Sequence, residues 1–206
     1  MDIVFGVENE FYLTGGTCLS RFYHEKRYSD DLDFFTNDSL RFSFAVKNIK
    51  RELLKRFVVT PEIEAKDFIR FRVEHHLQVD FVNDRTPRFK DVVIRKNGYI
   101  IDNVENILAN KLTAVIGRDN PKDVFDIYLI CRFYSFDWGE IVDAASNKAV
   151  FALEDLVVKL KSFPVSLFDK IEITDPHFLD GFNAALEKII DEIVKKEYHR
   201  PIYLNR

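Results

Sequence analysis

The sequence predicts an α+β (mixed α/β) fold, with a mixed β-sheet flanked by helices and followed by a C-terminal helical bundle. Apolar and polar residues alternate over residues 67–82, which is typical of a β-hairpin. Apolar residues recur at helical spacing over residues 40–57 and 102–117. We therefore expect a sheet-containing core at residues 1–101 and a helical region at residues 102–206 packed on that core.

The composition is that of an ordinary globular protein, with 47% hydrophobic and 31% charged residues among 206. The 20 phenylalanines predict a core rich in aromatic rings. The formal net charge of −4 argues against broad, sequence-independent DNA binding, because that activity needs a net basic surface. A local basic groove remains compatible with this charge.

The sequence contains no apolar run near the roughly 20 residues that a membrane span needs, and no signal-peptide pattern opens it. Cys18 and Cys131 are too few and too separated for a disulfide framework or a zinc site. We expect a cytoplasmic protein with two free thiols and no membrane partner.

The most informative stretch covers residues 11–35, FYLTGGTCLSRFYHEKRYSDDLDFF. Its pattern predicts a strand, a glycine turn at Gly15 and Gly16, a helix and a second strand. Glycines let the backbone approach a ligand closely, and the following helix N-terminus offers N–H groups to an anion. Residues two apart on a strand share a face, so Asp31 and Asp33 are expected to project together.

Two carboxylates about 7 Å apart on one strand face repel each other unless a positive charge lies between them. Hard divalent cations such as Mg²⁺ or Mn²⁺ prefer oxygen ligands and fill this role beside phosphates. A glycine pair alone is usually a turn, and an acidic run alone is usually a solvated strand end. Their order and spacing together favour a site for phosphate and metal.

The segments GGT-x-LSRFY and YSDDLDFF resemble the glycine-pair and DxD motifs of the nucleotidyltransferase superfamily, which has the DNA polymerase β-like fold. More narrowly, they are similar to the AbiEii/AbiGii type toxin family, which includes the MenT toxins. The resemblance is dense over residues 13–35 and looser to about residue 130. It implies a nucleotidyltransferase core, a nucleoside triphosphate (NTP) substrate and a Mg²⁺ or Mn²⁺ cofactor.

The resemblance also implies a third metal-binding carboxylate on a neighbouring strand, beside Asp31 and Asp33, and Asp80 is the matching position. An acid among strand-forming residues is costly unless it is paired, metal-bound or exposed. The adjacent His75 and His76 would point apart on a strand or turn, so we interpret them as turn residues and not as metal ligands.

Lys111 lies on the buried stripe of the helix predicted over residues 102–117. A lysine on an inward face needs an anion, either a protein carboxylate or a substrate phosphate. The family has a lysine in a KL-x-A motif that is credited with binding the triphosphate, and Lys111 matches it. A structural ion pair with Asp123 or Asp126 is the alternative. Asp126, in a largely apolar helix, is itself a candidate for the nucleotide site.

Two hydroxyl groups, Thr17 and Ser20, fall near the start of a short helix predicted over residues 17–24. They suit hydrogen bonding to phosphate, with helix capping as the equal alternative. A polar loop precedes Ser29 and the metal-binding strand. The predicted nucleotide-binding residues are Gly15, Gly16, Thr17, Ser20, Ser29, Lys111 and Asp126.

Several further elements are expected. Residues 1–10 are too few for a separate element, although relatives usually carry a helical segment before the glycine turn. Asn120 caps a helix that has Pro121 at its first position, and Asp175-Pro176 caps a final helix. The hairpin predicted within residues 85–101 is basic, as is one face of the helix at 40–57. Each is either a solvated surface or a surface for an acceptor.

These observations predict a metal-dependent nucleotidyltransferase that transfers a nucleoside monophosphate (NMP) from an NTP to a hydroxyl group. By resemblance, the acceptor is an RNA (the tRNA 3′ end) or a protein, and the enzyme is the toxin of a toxin-antitoxin or abortive-infection system with a cognate antitoxin. The predicted catalytic residues are Asp31, Asp33, Asp80 and Lys111. Phosphotransfer to a protein, or a catalytically inactive nucleotidyltransferase-like binding module, is the alternative.

Overall fold

The computed structural model describes residues 1–202, which form two compact units. The first unit comprises residues 1–21 and 29–103. The second comprises residues 22–28 and the chain from Val104 onward. The first unit therefore ends two residues beyond residue 101, where the sequence predicts the end of the core.

The first unit contains a seven-stranded sheet in the order β3-β4-β5-β2-β1-β7-β6. β2 pairs with β5, and β1 with β7, in parallel, while the other neighbouring strands are antiparallel, so the predicted mixed sheet is confirmed. The elements in chain order are α1 (Asp2–Val7), β1 (Tyr12–Thr14), α2 (Gly15–Phe22), β2 (Asp31–Asn37), α3 (Phe42–Leu53), β3 (Val59–Glu64), β4 (Phe68–Val73), β5 (Leu77–Asp84), β6 (Val93–Ile94) and β7 (Ile100–Ile101).

One face of this sheet is apolar and forms the core of the first unit. Phe81 on β5 is fully buried, and its ring centroid lies 5.3 Å from that of Phe11 and 5.5 Å from that of Phe34. Phe71 on β4 adds a third ring at 5.7 Å. The predicted aromatic core is thus built from side chains that alternate along the strands, because every second residue faces the same side.

Helix α1 corrects the expectation that residues 1–10 form no separate element. Its Val4 side chain is buried, and the Glu8 N–H donates to the Val4 carbonyl at its end. α1 packs against α3. A helix this short is unstable alone, so the packing supplies the stability that its local sequence does not.

The predicted hairpin of β4 and β5 is confirmed, and His75 and His76 lie in its turn as interpreted. Glu74 and His75 have positive φ angles of 50° and 65°. β3 was not predicted. It is a largely exposed edge strand that contains Pro61, so it lacks the alternation that marks a half-buried strand.

The second unit is mainly helical, as predicted. Its elements are α4 (Val104–Gly117), α5 (Pro121–Phe133), β8 (Phe136–Asp137), α6 (Trp138–Lys148), α7 (Leu153–Lys161), two 3₁₀ helices (Val165–Lys170 and Pro176–Leu179), α8 (Phe182–Lys195) and β9 (Tyr198–His199). None of the described helices is both long and apolar enough to cross a membrane.

Two helix starts in the second unit were predicted, one correctly. The Asn120 side chain accepts a hydrogen bond from the Lys122 N–H, and Pro121 begins α5, as expected. Asp175, however, caps the short 3₁₀ helix and not the final helix. The helical conformation is interrupted at Gly181, whose φ of 74° is left-handed, and α8 begins at the next residue.

Aromatic side chains also fill the core of the second unit. Phe125 and Tyr128 of α5 contact Phe178, and Tyr128 also contacts Phe182 of α8. The Tyr128 hydroxyl donates to the Phe178 carbonyl over 3.1 Å, so its buried polar atom is satisfied.

Both cysteines are free, as predicted, and both are buried. Burial raises the pKa of the Cys18 thiol and of the Cys131 thiol. Both thiols are therefore protonated and unreactive at neutral pH.

We expect Phe81→Ala to lower the free energy of unfolding by about 3–5 kcal/mol, because it leaves a cavity among three packed rings. Urea denaturation followed by far-UV circular dichroism measures this change. Leu40→Ala is the matched control, since that side chain is 99% exposed and should be nearly neutral. A loss below about 1 kcal/mol for Phe81→Ala would contradict the packing described here.

Candidate functional site

The opposite face of the sheet brings together polar residues from four strands. Thr14 on β1 lies opposite Asp33 on β2, Asp33 lies opposite Asp80 on β5, and Asp80 lies opposite Arg70 on β4. Residues opposite each other in register share a face, so these four side chains form one row across the sheet. We call Thr14, Asp33, Asp80 and Arg70 the polar row.

A second line of side chains runs parallel to the polar row, two residues further along the strands. Asp31 lies opposite Gln78, which lies opposite Arg72. Arg72 in turn donates to both carboxylate oxygens of Glu62, at 2.9 and 3.0 Å. The sequence-predicted acids Asp31, Asp33 and Asp80 therefore occupy one sheet face with two arginines that were not predicted as site residues.

Asp80 is only 5% exposed, and its charge is compensated by Arg70. The Arg70 guanidinium donates to both carboxylate oxygens, with Nε at 2.7 Å and Nη2 at 2.6 Å. Gln78 donates a third hydrogen bond at 3.1 Å. These bonds to Asp80 raise the pKa of Arg70, so the guanidinium stays charged.

Asp33 lies directly beside the glycine turn. Gly15 has a φ of 72°, and a Cβ atom added there would come within 2.5 Å of Asp33 Oδ2. The carboxylate thus occupies the space that any larger residue would fill. Glycine is required at this position both for the left-handed backbone and for this close approach.

The hydroxyl groups near the turn contact β2. The Thr17 hydroxyl donates to the Asp31 backbone carbonyl, and the Ser29 hydroxyl donates to Asp31 Oδ1 at 3.1 Å. Gly16 and Thr17 are buried in the first turn of α2, and Ser20 is partly buried one turn later. Thr17 and Ser29 therefore help to fix Asp31, while their predicted contacts with phosphate stay predictions.

Two of the predicted acids offer ligands that a divalent cation prefers. Asp31 and Asp33 supply hard oxygen ligands on one face of β2, which suits Mg²⁺ or Mn²⁺. Among residues 1–202, no group of three or more acidic, histidine or cysteine side chains is arranged to hold a metal ion. Asp31 and Asp33 fit the cation, whereas both oxygens of Asp80 are already bonded to Arg70.

The second unit contains a separate cluster of buried charges. Lys111 of α4 is 8% exposed, and its Nζ lies 2.8 Å from Asp123 Oδ1 and 2.7 Å from Asp126 Oδ2. Arg27 donates to both oxygens of Asp126 at 2.7 Å, and Arg118 donates to both oxygens of Asp123. Arg118 is largely exposed, whereas the other four side chains are buried, and we call these five residues the charge cluster.

The charges in this cluster hold one another in the ionised state. Burial raises the pKa of Asp126, but the attraction of Lys111 and Arg27 outweighs it and leaves the pKa below the usual value. Burial likewise lowers the pKa of Lys111, and the attraction of Asp126 and Asp123 outweighs it, so this pKa is raised. Lys111 and Asp126 are therefore both charged at neutral pH.

The ion pair that we considered for Lys111 is present, and it involves both Asp123 and Asp126. A role for Lys111 and Asp126 toward nucleotide stays a prediction. The sequence analysis missed Arg27 and Arg70 as partners of site residues. Arg70 was detectable, because the hairpin pairing places it opposite Asp80, whereas Arg27 gave no comparable signal.

We expect Gly15→Ala to lower the free energy of unfolding by about 1–2 kcal/mol, because alanine is strained at a left-handed φ. Asp33 would also have to move away from the added methyl group. The control is Gly6→Ala in α1, where an added Cβ meets nothing within 4 Å. Equal effects of both substitutions in urea denaturation would contradict this account of Gly15.

We expect Asp126→Asn to lower the free energy of unfolding by about 3–5 kcal/mol at pH 7, because Arg27 and Lys111 lose a buried counter-charge. Thermal denaturation compares it with Asp119→Asn, whose carboxylate is exposed and paired with Lys159. Since the pKa of Asp126 is lowered in the folded state, its contribution is fully present above about pH 4 and is lost as the pH falls through the folded-state pKa. A difference that does not change with pH would contradict the buried ion pair.

Comparisons with known proteins identify the family of this chain. The sequence model of the family described as "Nucleotidyl transferase AbiEii toxin, Type IV TA system" matches residues 4–202. An uncharacterized protein of Aquifex aeolicus (strain VF5) is 31% identical over 146 residues, which cover 69% of this chain and 68% of that protein.

Two solved structures share the fold at low sequence identity. MenT4, the nucleotidyltransferase toxin Rv2826c from Mycobacterium tuberculosis H37Rv, is 16% identical with a TM-score of 0.59, over 94% of this chain and 81% of that one. JHP933 from Helicobacter pylori is 18% identical with a TM-score of 0.55, over 94% of this chain and 89% of that one. With the family match over nearly all of its described residues, the chain belongs to the AbiEii family of nucleotidyltransferase toxins.

Proposed function

We propose that this toxin is a Mg²⁺- or Mn²⁺-dependent enzyme that transfers NMP from an NTP to a hydroxyl group of an RNA or protein. The observation that supports it most directly is the position of Asp33, which lies in the polar row and against the glycine turn at once. A carboxylate pair and a helix N-terminus in this arrangement suit a cation and the phosphates that it accompanies.

Each residue has a defined part in this proposal. Asp31 and Asp33 would hold the cation, which would neutralise charge on the triphosphate. The N–H groups in the first turn of α2, which begins with Gly15 and Gly16, would bind phosphate oxygens. Lys111 is proposed to stabilise the departing pyrophosphate. In the structure Lys111 pairs with Asp123 and Asp126, so the pyrophosphate would compete with these two carboxylates for its charge.

The proposed reaction is an in-line displacement at the α-phosphorus. The acceptor hydroxyl oxygen forms a bond to this phosphorus and loses its proton to solvent. The bond from the α-phosphorus to the bridging oxygen breaks, and pyrophosphate leaves. Because little covalent chemistry falls to the protein, positioning and charge stabilisation provide the catalysis.

A tRNA 3′ end is the proposed RNA acceptor, and the proposal places the enzyme in the cytoplasm, where NTPs and tRNA occur. The net charge of −4 suits a local acceptor site better than a broad nucleic-acid surface. The family description names a type IV toxin-antitoxin system, so we propose a cognate antitoxin as a partner.

The test incubates the protein with each of four α-³²P-labelled NTPs, Mg²⁺ or Mn²⁺, and total tRNA, and follows both label transfer and pyrophosphate release. We expect Asp31→Asn/Asp33→Asn to reduce transfer more than about 100-fold, since even outer-shell partners of metal ligands contribute 10–100-fold. Asp30→Asn, a change in the same acidic run outside the predicted site, is the matched control and should retain activity.

Two results would contradict the proposal. In a parallel incubation with γ-³²P-labelled NTPs, transfer of label without pyrophosphate release would identify a phosphotransferase. Failure of the wild type to bind any of the four NTPs in calorimetric titration would instead indicate a binding module.

A further inference from the structure

A buried hydrogen bond fixes the end of β1, directly before the glycine turn. Thr14, the last residue of β1, donates from its hydroxyl group to Asp102 Oδ2 at 2.6 Å. Thr14 is 2% exposed and Asp102 is 1% exposed, so water has little access to this bond. A hydrogen bond from a hydroxyl group to a carboxylate in such surroundings is short and strong.

Asp102 is itself held in place by two further hydrogen bonds. Its N–H donates to the Leu13 carbonyl at 2.8 Å, which continues the parallel pairing of β1 with β7. Its other carboxylate oxygen, Oδ1, accepts from the Asn103 N–H at 2.9 Å. Asp102 is therefore a fixed residue to which the end of β1 is bonded twice, once through Leu13 and once through Thr14.

The glycine turn depends on the residues around it for its conformation. Gly15 and Gly16 follow Thr14, and glycine restricts the backbone less than any other residue. On the far side of the two glycines, the Thr17 hydroxyl donates to the Asp31 backbone carbonyl. Two hydroxyl groups thus anchor the turn, one before it and one after it. The backbone between these anchors carries N–H groups to which the proposed function assigns phosphate binding.

The charge of Asp102 does not by itself favour phosphate at this turn. Burial raises the pKa of the Cys18 thiol in α2, and the negative charge of Asp102 raises it further. The charge of Asp102 therefore acts on the helix whose first turn would bind the anion, and a negative charge there repels phosphate. Attraction cannot explain a role for Asp102 in phosphate binding, whereas its bond to Thr14 can.

Resting on the proposed function, we propose that Thr14 and Asp102 are positioning residues for the triphosphate of the NTP. Their hydrogen bond keeps the glycine turn in the conformation that receives phosphate oxygens, so less flexibility is lost when the ligand binds. Neither side chain touches the reacting atoms in this proposal. Both act through the backbone of Gly15 and Gly16.

The experiment measures the affinity for inorganic tripolyphosphate with Mg²⁺ by calorimetric titration, because this probe contains the phosphates without a base or sugar. We expect Thr14→Val, which keeps the side-chain shape and removes the hydroxyl group, to weaken binding about tenfold. Thr14→Ser keeps the hydroxyl group and should bind within about twofold of the wild type. Thr36→Val changes a buried threonine on the other face of the sheet, and this matched control should bind like the wild type.

Asp102→Asn tests the same bond from its other partner. The amide oxygen is neutral, and charged hydrogen bonds are about twice as strong as neutral ones, so we expect binding to weaken about fivefold. Removal of a negative charge alone would instead strengthen phosphate binding. The direction of the change in affinity therefore separates positioning from electrostatic repulsion.

Unchanged affinity of a folded Thr14→Val protein would overturn the inference, and so would equal losses for Thr14→Val and Thr14→Ser. If Thr14→Val does not fold, an Asp102→Asn affinity equal to or above that of the wild type would overturn it. A wild type that binds NTP but not tripolyphosphate would overturn the inference and leave the proposed function intact. Failure of the wild type to bind either ligand would overturn both.

Discussion

The parallel pairing of β2 with β5 is the constraint on which the first unit depends. Its register places Phe34 opposite Phe81 on one face and, one residue earlier, Asp33 opposite Asp80 on the other. A shift by one residue would exchange the two faces and bury the acids in the aromatic core. The apolar packing that stabilises the sheet therefore also fixes the spacing of the carboxylates.

Charge balance is achieved differently in the two units. In the first, Asp80 is compensated by Arg70, and the second arginine on this face is bonded to Glu62. In the second, Lys111 and Arg27 share Asp126, and all three side chains are at most 10% exposed, so solvent screens them little. Such networks contribute less to stability than their geometry suggests, but removing one member is costly.

The sheet face of the candidate site could be predicted from local alternation, since strand periodicity alone places Asp31, Asp33 and Asp80 among strand residues. The position of Arg70 opposite Asp80 could also be predicted, because both residues belong to one hairpin. The contact of Arg27 with Asp126 was not accessible, because 99 residues separate them and the loop around Arg27 resembles any polar connection. The helix at the N-terminus escaped prediction because it depends on packing against α3 and not on its own propensity.

The assignment of residues 22–28 to the second unit limits how the protein can be dissected. This heptapeptide begins at the last residue of α2 and precedes β2, yet Arg27 bonds to Asp126 and its backbone pairs with Ile173. A fragment ending at residue 103 would contain Arg27 without Asp126, and a fragment beginning at residue 104 would contain Asp126 with Lys111 but without Arg27. Because the two units are discontinuous in sequence, a single cut of the chain cannot separate one unit intact from the other.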